Sequence, residues 1–368
     1  MDKAKEPVTG DLAAESTYRR LAQSLDSLPQ GFPPTSTGIE LEVLKMMFAA
    51  DEAEIASWMS ESWESAEEIV ARAGMDLETS RRLLRVMSRK DLVLQRASDG
   101  TLLYRLNPFI VGSYETTMFR LQGDEAHRFA HLVEAYFMQS GVLAGIMRPS
   151  PALHRVVPAH SSVKTEWILP YDDVRAFLEG AVSFGLIDCV CRKQQELLGH
   201  RKCDFPLRTC LNFSTRERPN TRYSVSREEA LAALDEFERI GLVHTVSNVS
   251  SEINYVCNCC GCCCGILRSL LERGIEGSVA CANYYATVDA DACAGCGNCE
   301  ARCQVEGIKV RGGVAVVDRK KCIGCGLCVS GCTAGAVELA LKPADEIVEP
   351  PKDMGEWSRM RKAARGLI

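Results

Sequence analysis

Apolar positions along the chain fall first into helical spacing and later into short runs broken by turns. Residues 1–37 mix charges with Pro29, Pro33, Pro34 and scattered Gly, Ser and Thr, show no helical or strand period, and read as a flexible arm. From Gly38 the pattern changes. Leu41, Leu44, Met47 and Phe48 share one helical face, and Ile55, Trp58 and Met59 continue in a second short helix. Ser65 followed by Glu68 is a capping box opening a helix through Ile69 and Val70 that stops at Gly74. Asp76 caps the next helix, whose inner side holds Leu77, Leu83, Leu84 and Met87. Residues 92–96, a turn at Asp99-Gly100 and residues 101–106 read as a β-hairpin. Residues 109–180 read as a connector, helical over 124–137 and extended over 149–170. A second capping box, Ser226 with Glu229, opens a helix closed by Gly241, after which Leu242-Val243-His244 start a strand.

Helices, a helix-turn-helix and a hairpin in this order resemble a winged-helix domain over residues 38–108. The resemblance implies a nucleic-acid-reading helix over 76–90, with Arg81, Arg82, Arg85, Arg89 and Lys90 as its contacts. Winged helices also serve as docking and dimerisation modules, and arginines on an exposed helix face are ordinarily solvated, so docking is the preferred expectation.

At 368 residues the chain has room for two or three domains of about 150 residues each. With 46% hydrophobic and 25% charged residues it is globular, and a net charge of -6 excludes a surface built throughout to coat nucleic acid. The outlier is cysteine: nineteen, all between Cys189 and Cys332. No apolar stretch is long enough to cross a bilayer and no apolar leader follows Met1, so the expected location is cytoplasmic. Disulfides are rare there, and a dense cysteine field points to metal or iron–sulfur chemistry.

Within that field lies an internal repeat. Ala286-Thr-Val-Asp289 precedes Cys293-x2-Cys296-x2-Cys299-x3-Cys303, and Ala315-Val-Val-Asp318 precedes Cys322-x2-Cys325-x2-Cys328-x3-Cys332. Three cysteines two residues apart wrap one corner of a cubane, and Gly295, Gly297, Gly324 and Gly326 let backbone amides approach without a Cβ in the way. The run resembles the bacterial two-cluster ferredoxin domain over about residues 284–342. That resemblance implies two pseudo-twofold β-α-β halves and an exchange of ligands. Cys293, Cys296, Cys299 and Cys332 would hold one 4Fe-4S cluster, and Cys322, Cys325, Cys328 and Cys303 the other. The sequence departs from the family at Gln304 and Thr333, where proline usually follows the fourth cysteine.

Upstream stand Cys189, Cys191, Cys203 and Cys210, then Cys257, Cys259, Cys260, Cys262, Cys263 and Cys264, then Cys281. Neighbouring side chains diverge on an extended or helical backbone, so only a subset of the 257–264 run is expected to ligate one centre. Cys189, Cys191, Cys203 and Cys210 make one plausible complete set for a further cluster. Three cysteines of the second group, Cys257, Cys259 and Cys260 among them, could hold another with Cys281 or a non-protein ligand. A structural zinc site, a redox-active thiol pair, and Cys263 or Cys281 as plain buried side chains are the alternatives. His244 could serve a cluster, though a packed core histidine is the preferred reading; His127 and His131 have a helical zinc spacing but no third ligand beside them.

The expected fold class is α+β: arm 1–37, winged-helix-like domain 38–108, connector 109–180, Cys-rich domain 181–285, two-cluster domain 286–342 and tail 343–368. Residues 155–342 also resemble a group of larger ferredoxin-domain proteins of anaerobic microbes through Cys189-Val-Cys191-Arg192, Gly241-Leu-Val-His244 and Cys257-Asn-Cys259-Cys260, which implies anaerobic electron transfer. No nucleotide-binding fingerprint is present. The expected function is therefore an electron-transfer protein, a subunit of an oxidoreductase rather than a stand-alone enzyme, carrying two 4Fe-4S clusters and one or two more, and docking a flavin or metal oxidoreductase. Arg319-Lys320-Lys321 and Arg359, Arg361, Lys362 and Arg365 are its candidate contact patches. The competing readings are a redox-sensing regulator acting through the winged helix, and a reductase with a catalytic cluster in the Cys-rich domain.

Overall fold

The computed structural model describes residues 9–368, with side chains from residue 15 onward, and shows an α+β protein of two compact units. The first contains residues up to 146 together with 362–368, and the second residues 147–361.

In the first unit α1 (Thr9–Asp26) runs through the stretch expected to be a loose arm; residues 1–8 of that stretch lie outside the described residues. The arm assignment fails from residue 9 onward. Tyr18, Leu21, Ala22 and Leu25 form a helical stripe that is buried, and Leu28 and Phe32 beyond it are buried as well. Tyr18 Oη donates to the Phe48 carbonyl at 2.9 Å. Arg20 makes a two-pronged contact with Glu54 at 2.7 and 2.8 Å.

Then follow α2 (Ile39–Met47), α3 (Ala50–Ala56), β1 (Glu64–Ser65), α4 (Ala66–Ala73), α5 (Leu77–Arg89), β2 (Val93–Ser98) and β3 (Thr101–Leu106). Ser65 and Asp76 cap α4 and α5 as their sequence positions foretell, and Gly74 ends α4 in the left-handed conformation at φ +65°. The strands pair in the order β1-β3-β2, all antiparallel. The expected connector does not form one body. Residues 109–146 belong to the first unit through α6 (Tyr114–Arg120), α7 (Gly123–Phe137) and most of α8 (Val142–Met147), and α7 packs on α2. The reason is an aromatic cluster: Phe109 lies 4.8 Å from Phe32 and 6.0 Å from Tyr136, ring centre to ring centre.

The second unit is built on β4 (His154–Val157), α9 (Val174–Glu179), β5 (Ser183–Asp188), α10 (Val190–Leu197), β6 (Arg208–Ser214), β7 (Ser224–Val225), α11 (Arg227–Ile240), β8 (Val243–Ser247), β9 (Tyr255–Cys259) and α12 (Gly265–Leu271). Its six strands run in the order β4-β8-β9-β6-β5-β7 with antiparallel neighbours. The Ser226–Glu229 capping box starts α11, Gly241 at φ +97° ends it, and α11 packs over β5, β6 and β8. The chain continues into β10 (Tyr284–Val288), α13 (Asn298–Arg302), β11 (Ile308–Arg311), β12 (Val314–Val317), α14 (Leu327–Ser330), β13 (Val337–Leu341) and α15 (Met354–Ala364). β10 pairs with β13 and β11 with β12, so two β-α-β halves interlock.

Candidate metal centres

Each half of the repeat places its cysteines by the same local chemistry. Asp289 and Asp318 open the loops: the Asp289 carboxylate accepts the amides of Asp291 and Ala292, and Asp318 accepts that of Lys320. Gly297 at φ +80° and Gly326 at φ +77° then start α13 and α14, which carry Cys299 and Cys328. Gly295 answers a different demand. At φ +62° a Cβ there would run into the Gly313 carbonyl of the opposing hairpin, so the glycine serves close backbone packing as well as access to a centre.

The two motifs exchange their fourth cysteines. One small cavity is lined by Cys293, Cys296, Cys299 and Cys332 with Val310, Ala315 and Val337; a second by Cys322, Cys325, Cys328 and Cys303 with Ile308, Val317 and Leu327. Four thiols and an apolar wall in each are the donor set and the dry surroundings a 4Fe-4S cubane needs. Backbone amides already address the sulfurs: Gly307 N–H points at Cys303 Sγ (3.1 Å) and Ala315 N–H at Cys293 Sγ (3.4 Å). Burial pushes the Cys325 thiol up to about 12, and raises those of Cys328 and Cys299 as well. Loading the cavities must therefore displace protons, and it weakens as the pH falls.

The upstream cysteines sort by tertiary position, not by sequence group. Cys189, Cys191, Cys264, Cys259, Cys257 and Cys210 follow one another, each thiol interacting with the next. Cys257 and Cys259 share a face of β9, and the register of Leu211 with Val256 sets Cys210 across from Cys257. Cys203 leaves this row, so Cys189, Cys191, Cys203 and Cys210 do not meet as one set. It joins Cys260, Cys262 and Cys263, the four Sγ atoms lying within 4.8 Å of one another. Only a subset of the 257–264 run meets here, as expected, although that subset includes the adjacent Cys262 and Cys263. They sit in a tight turn closed by Cys264 N–H to the Cys260 carbonyl at 3.1 Å, neither strand nor helix. Cys281 joins neither group; it is exposed, beside Cys322.

Between the two groups Arg192 is fully buried. Its guanidinium donates to the carbonyls of Pro206 (3.1 Å) and Asn258 (2.6 Å) and to the Thr209 hydroxyl, and its charge bears on Cys189, Cys260 and Cys259. The Cys263 thiol, together with Arg192, holds Cys260 down to about 4, against the effect of burial.

The residues flanking Cys303 tie the repeat to this field. Arg302 donates to the last carbonyls of α11, Glu238 at 2.9 Å and Arg239 at 2.7 Å. Gln304 accepts the Gly261 amide at 2.9 Å and donates to the Gly241 carbonyl at 3.0 Å. The glutamine in place of proline is a docking residue.

Other candidates fall away. His244 is a core histidine whose Nδ1 lies 2.6 Å from Asn258 Oδ1, while Nε2 has no partner among the described residues. His127 and His131 are exposed, and no metal-ligand group among the described residues includes them. On α5, Arg81 pairs with Glu67 and Glu78, and Lys90 with buried Glu52 at 2.6 Å. Arg82, Arg85 and Arg89 stay exposed. In the tail, Arg361 is buried on the carbonyls of Pro149 and Pro151, Lys362 pairs with Glu61 and Arg365 with Asp26 (2.7 Å), which leaves Arg359 as the exposed arginine of that patch. Arg319, Lys320 and Lys321 are exposed, as a contact patch requires.

Residues 285–333 match the family model of the 4Fe-4S dicluster domain. This part of the chain is an iron–sulfur cluster-binding domain of ferredoxin type, which suggests an electron-transfer or redox role. Comparison with curated proteins and with solved structures finds no match. No helix among the described residues is long and apolar enough to cross a membrane.

Proposed function

We propose that the chain is an electron-transfer protein, or the electron-transfer subunit of an oxidoreductase of anaerobic metabolism, working in the cytoplasm. The observation that carries the reading is the pair of cavities, each lined by three cysteines of one motif and the fourth of the other. Cys293, Cys296, Cys299 and Cys332 would hold one 4Fe-4S cluster, and Cys322, Cys325, Cys328 and Cys303 the second. When bound, such a cluster takes up or gives up one electron at a time. The chain supplies the rest. The Gly307 and Ala315 amides favour added negative charge at Cys303 and Cys293, and the apolar walls exclude water.

The row Cys189, Cys191, Cys264, Cys259, Cys257 and Cys210 supplies enough thiols for a further cubane. Cys296 is exposed, so a redox partner such as a flavin or metal oxidoreductase would exchange electrons there, and the exposed Arg319, Lys320 and Lys321 beside the second motif would offer a positively charged contact. Residues 38–108 support a winged-helix-like module. With Arg81 and Lys90 consumed in ion pairs, docking suits it better than DNA reading.

The test is Cys296→Ser in anaerobically purified full-length protein, followed by low-temperature EPR of the reduced sample. One of the two dicluster signals should be lost or converted while the other persists. Retention of both unchanged sinks the ligand assignment.

A further inference from the structure

Cys203, Cys260, Cys262 and Cys263 stand too close together for a cubane. Their sulfurs are separated by 3.9 Å (Cys203 to Cys260), 3.8 Å (Cys203 to Cys263), 3.7 Å (Cys260 to Cys262) and 3.5 Å (Cys262 to Cys263). A metal–thiolate bond of about 2.3 Å in a tetrahedral site puts neighbouring sulfurs about 3.8 Å apart. In a cubane each cysteine takes a different iron, so the four sulfurs surround a whole Fe4S4 body and stand further apart than this. We propose that Cys203, Cys260, Cys262 and Cys263 bind a single tetrahedral divalent ion, zinc or ferrous iron, separate from the iron–sulfur clusters.

Three further observations support a built site. The quartet draws one ligand from the loop after α10 and three from the turn after β9, and Arg201 Nε holds that loop by donating to the Cys203 carbonyl at 3.0 Å. Phe237, Leu242, Leu186 and Phe205 pack around it, so the surroundings are dry. The third observation concerns charge. Arg192 is buried with a carboxylate nowhere among its hydrogen-bond and ion-pair partners in the described residues, and an uncompensated buried guanidinium is costly. Four thiolates on one divalent ion carry two net negative charges and place them beside it. A tetrahedral all-sulfur donor set suits zinc or iron and not the hard cations.

The Gly261 amide, inside this turn, is the one Gln304 accepts. The ion would thereby fix the turn on which Gln304, next to Cys303, is seated. The inference does not depend on the electron-transfer reading, since the ion can be present whether or not the cubanes relay electrons.

The deciding experiment is metal analysis of anaerobically purified full-length protein, joined to X-ray absorption at the zinc edge and Mössbauer spectroscopy of iron-57-enriched protein. One zinc per chain with four sulfur neighbours and no nearby second metal supports the zinc form. One high-spin tetrahedral iron without matching labile sulfide supports the iron form. Cys262→Ser should then remove one metal equivalent and leave the dicluster EPR signals in place. Loss of about four irons and four sulfides in that variant overturns the proposal in favour of a cubane. For the wild-type protein, which needs no variant to fold, alkylation of all four thiols with the clusters intact and no additional metal overturns it as well.

Discussion

Gln304 stands where two-cluster ferredoxins carry proline, and a single side chain there makes two hydrogen bonds to the turn and helix end of the Cys-rich part. Proline could make neither. Gln304→Ala should cost about 1–3 kcal/mol by leaving the Gly261 amide and the Gly241 carbonyl without it. The expected readout is faster hydrogen exchange of the Gly261 amide with the iron content unchanged; an unchanged exchange rate would remove the docking role. The departure at Gln304 is visible in the sequence, but its purpose is not, because its two partners lie more than forty positions upstream. The same holds for Cys262 and Cys263. Their convergence depends on the backbone of one turn, and on Cys203 arriving from a different loop.

Among elements, α1 is one that the hydrophobic pattern did not disclose. Tyr18, Leu21, Ala22 and Leu25 do have helical spacing, but the charges among them and the prolines at 29, 33 and 34 hid it. Leu21 is fully buried, and Leu21→Ala should destabilise the first unit by about 2–4 kcal/mol, measured by thermal unfolding. A neutral effect would return this stretch to a loose arm. In α6, burial of the Glu115 carboxyl raises its pKa from 4.5 to about 7, with the Gly112 amide pulling the other way. Between those values the folded chain keeps a proton that the unfolded chain releases, so stability falls as the pH rises from about 4.5 to about 7. Glu115→Gln should abolish that slope, so that its unfolding midpoint gains on the wild type across this window; a constant difference between the two would contradict the assignment. Both capping boxes, the Asp76 cap, the hairpin and the strand from Val243 were legible because each is set by residues within a few positions of one another.

At the scale of the whole molecule the cysteines divide into two dicluster cavities, a row of six, a quartet and the solitary Cys281. This division predicts about twelve irons and twelve labile sulfides per chain, plus one further metal ion. About eight irons would leave the row of six without a cubane, and about sixteen would place a cubane at the quartet too. The sequence by itself determined the local parts: the caps and turns, the repeated cysteine motif and, through resemblance, the expectation that the two motifs exchange their fourth cysteines. Adjacent residues impose the caps, the turns and the motif, whatever the rest of the chain does. Tertiary structure alone decided which upstream thiols meet, that a buried arginine lies between them, and that residues 109–146 belong with the first unit. Those outcomes depend on strand register and on turns that bring remote positions within a few ångströms, and no spacing along the chain encodes such distances.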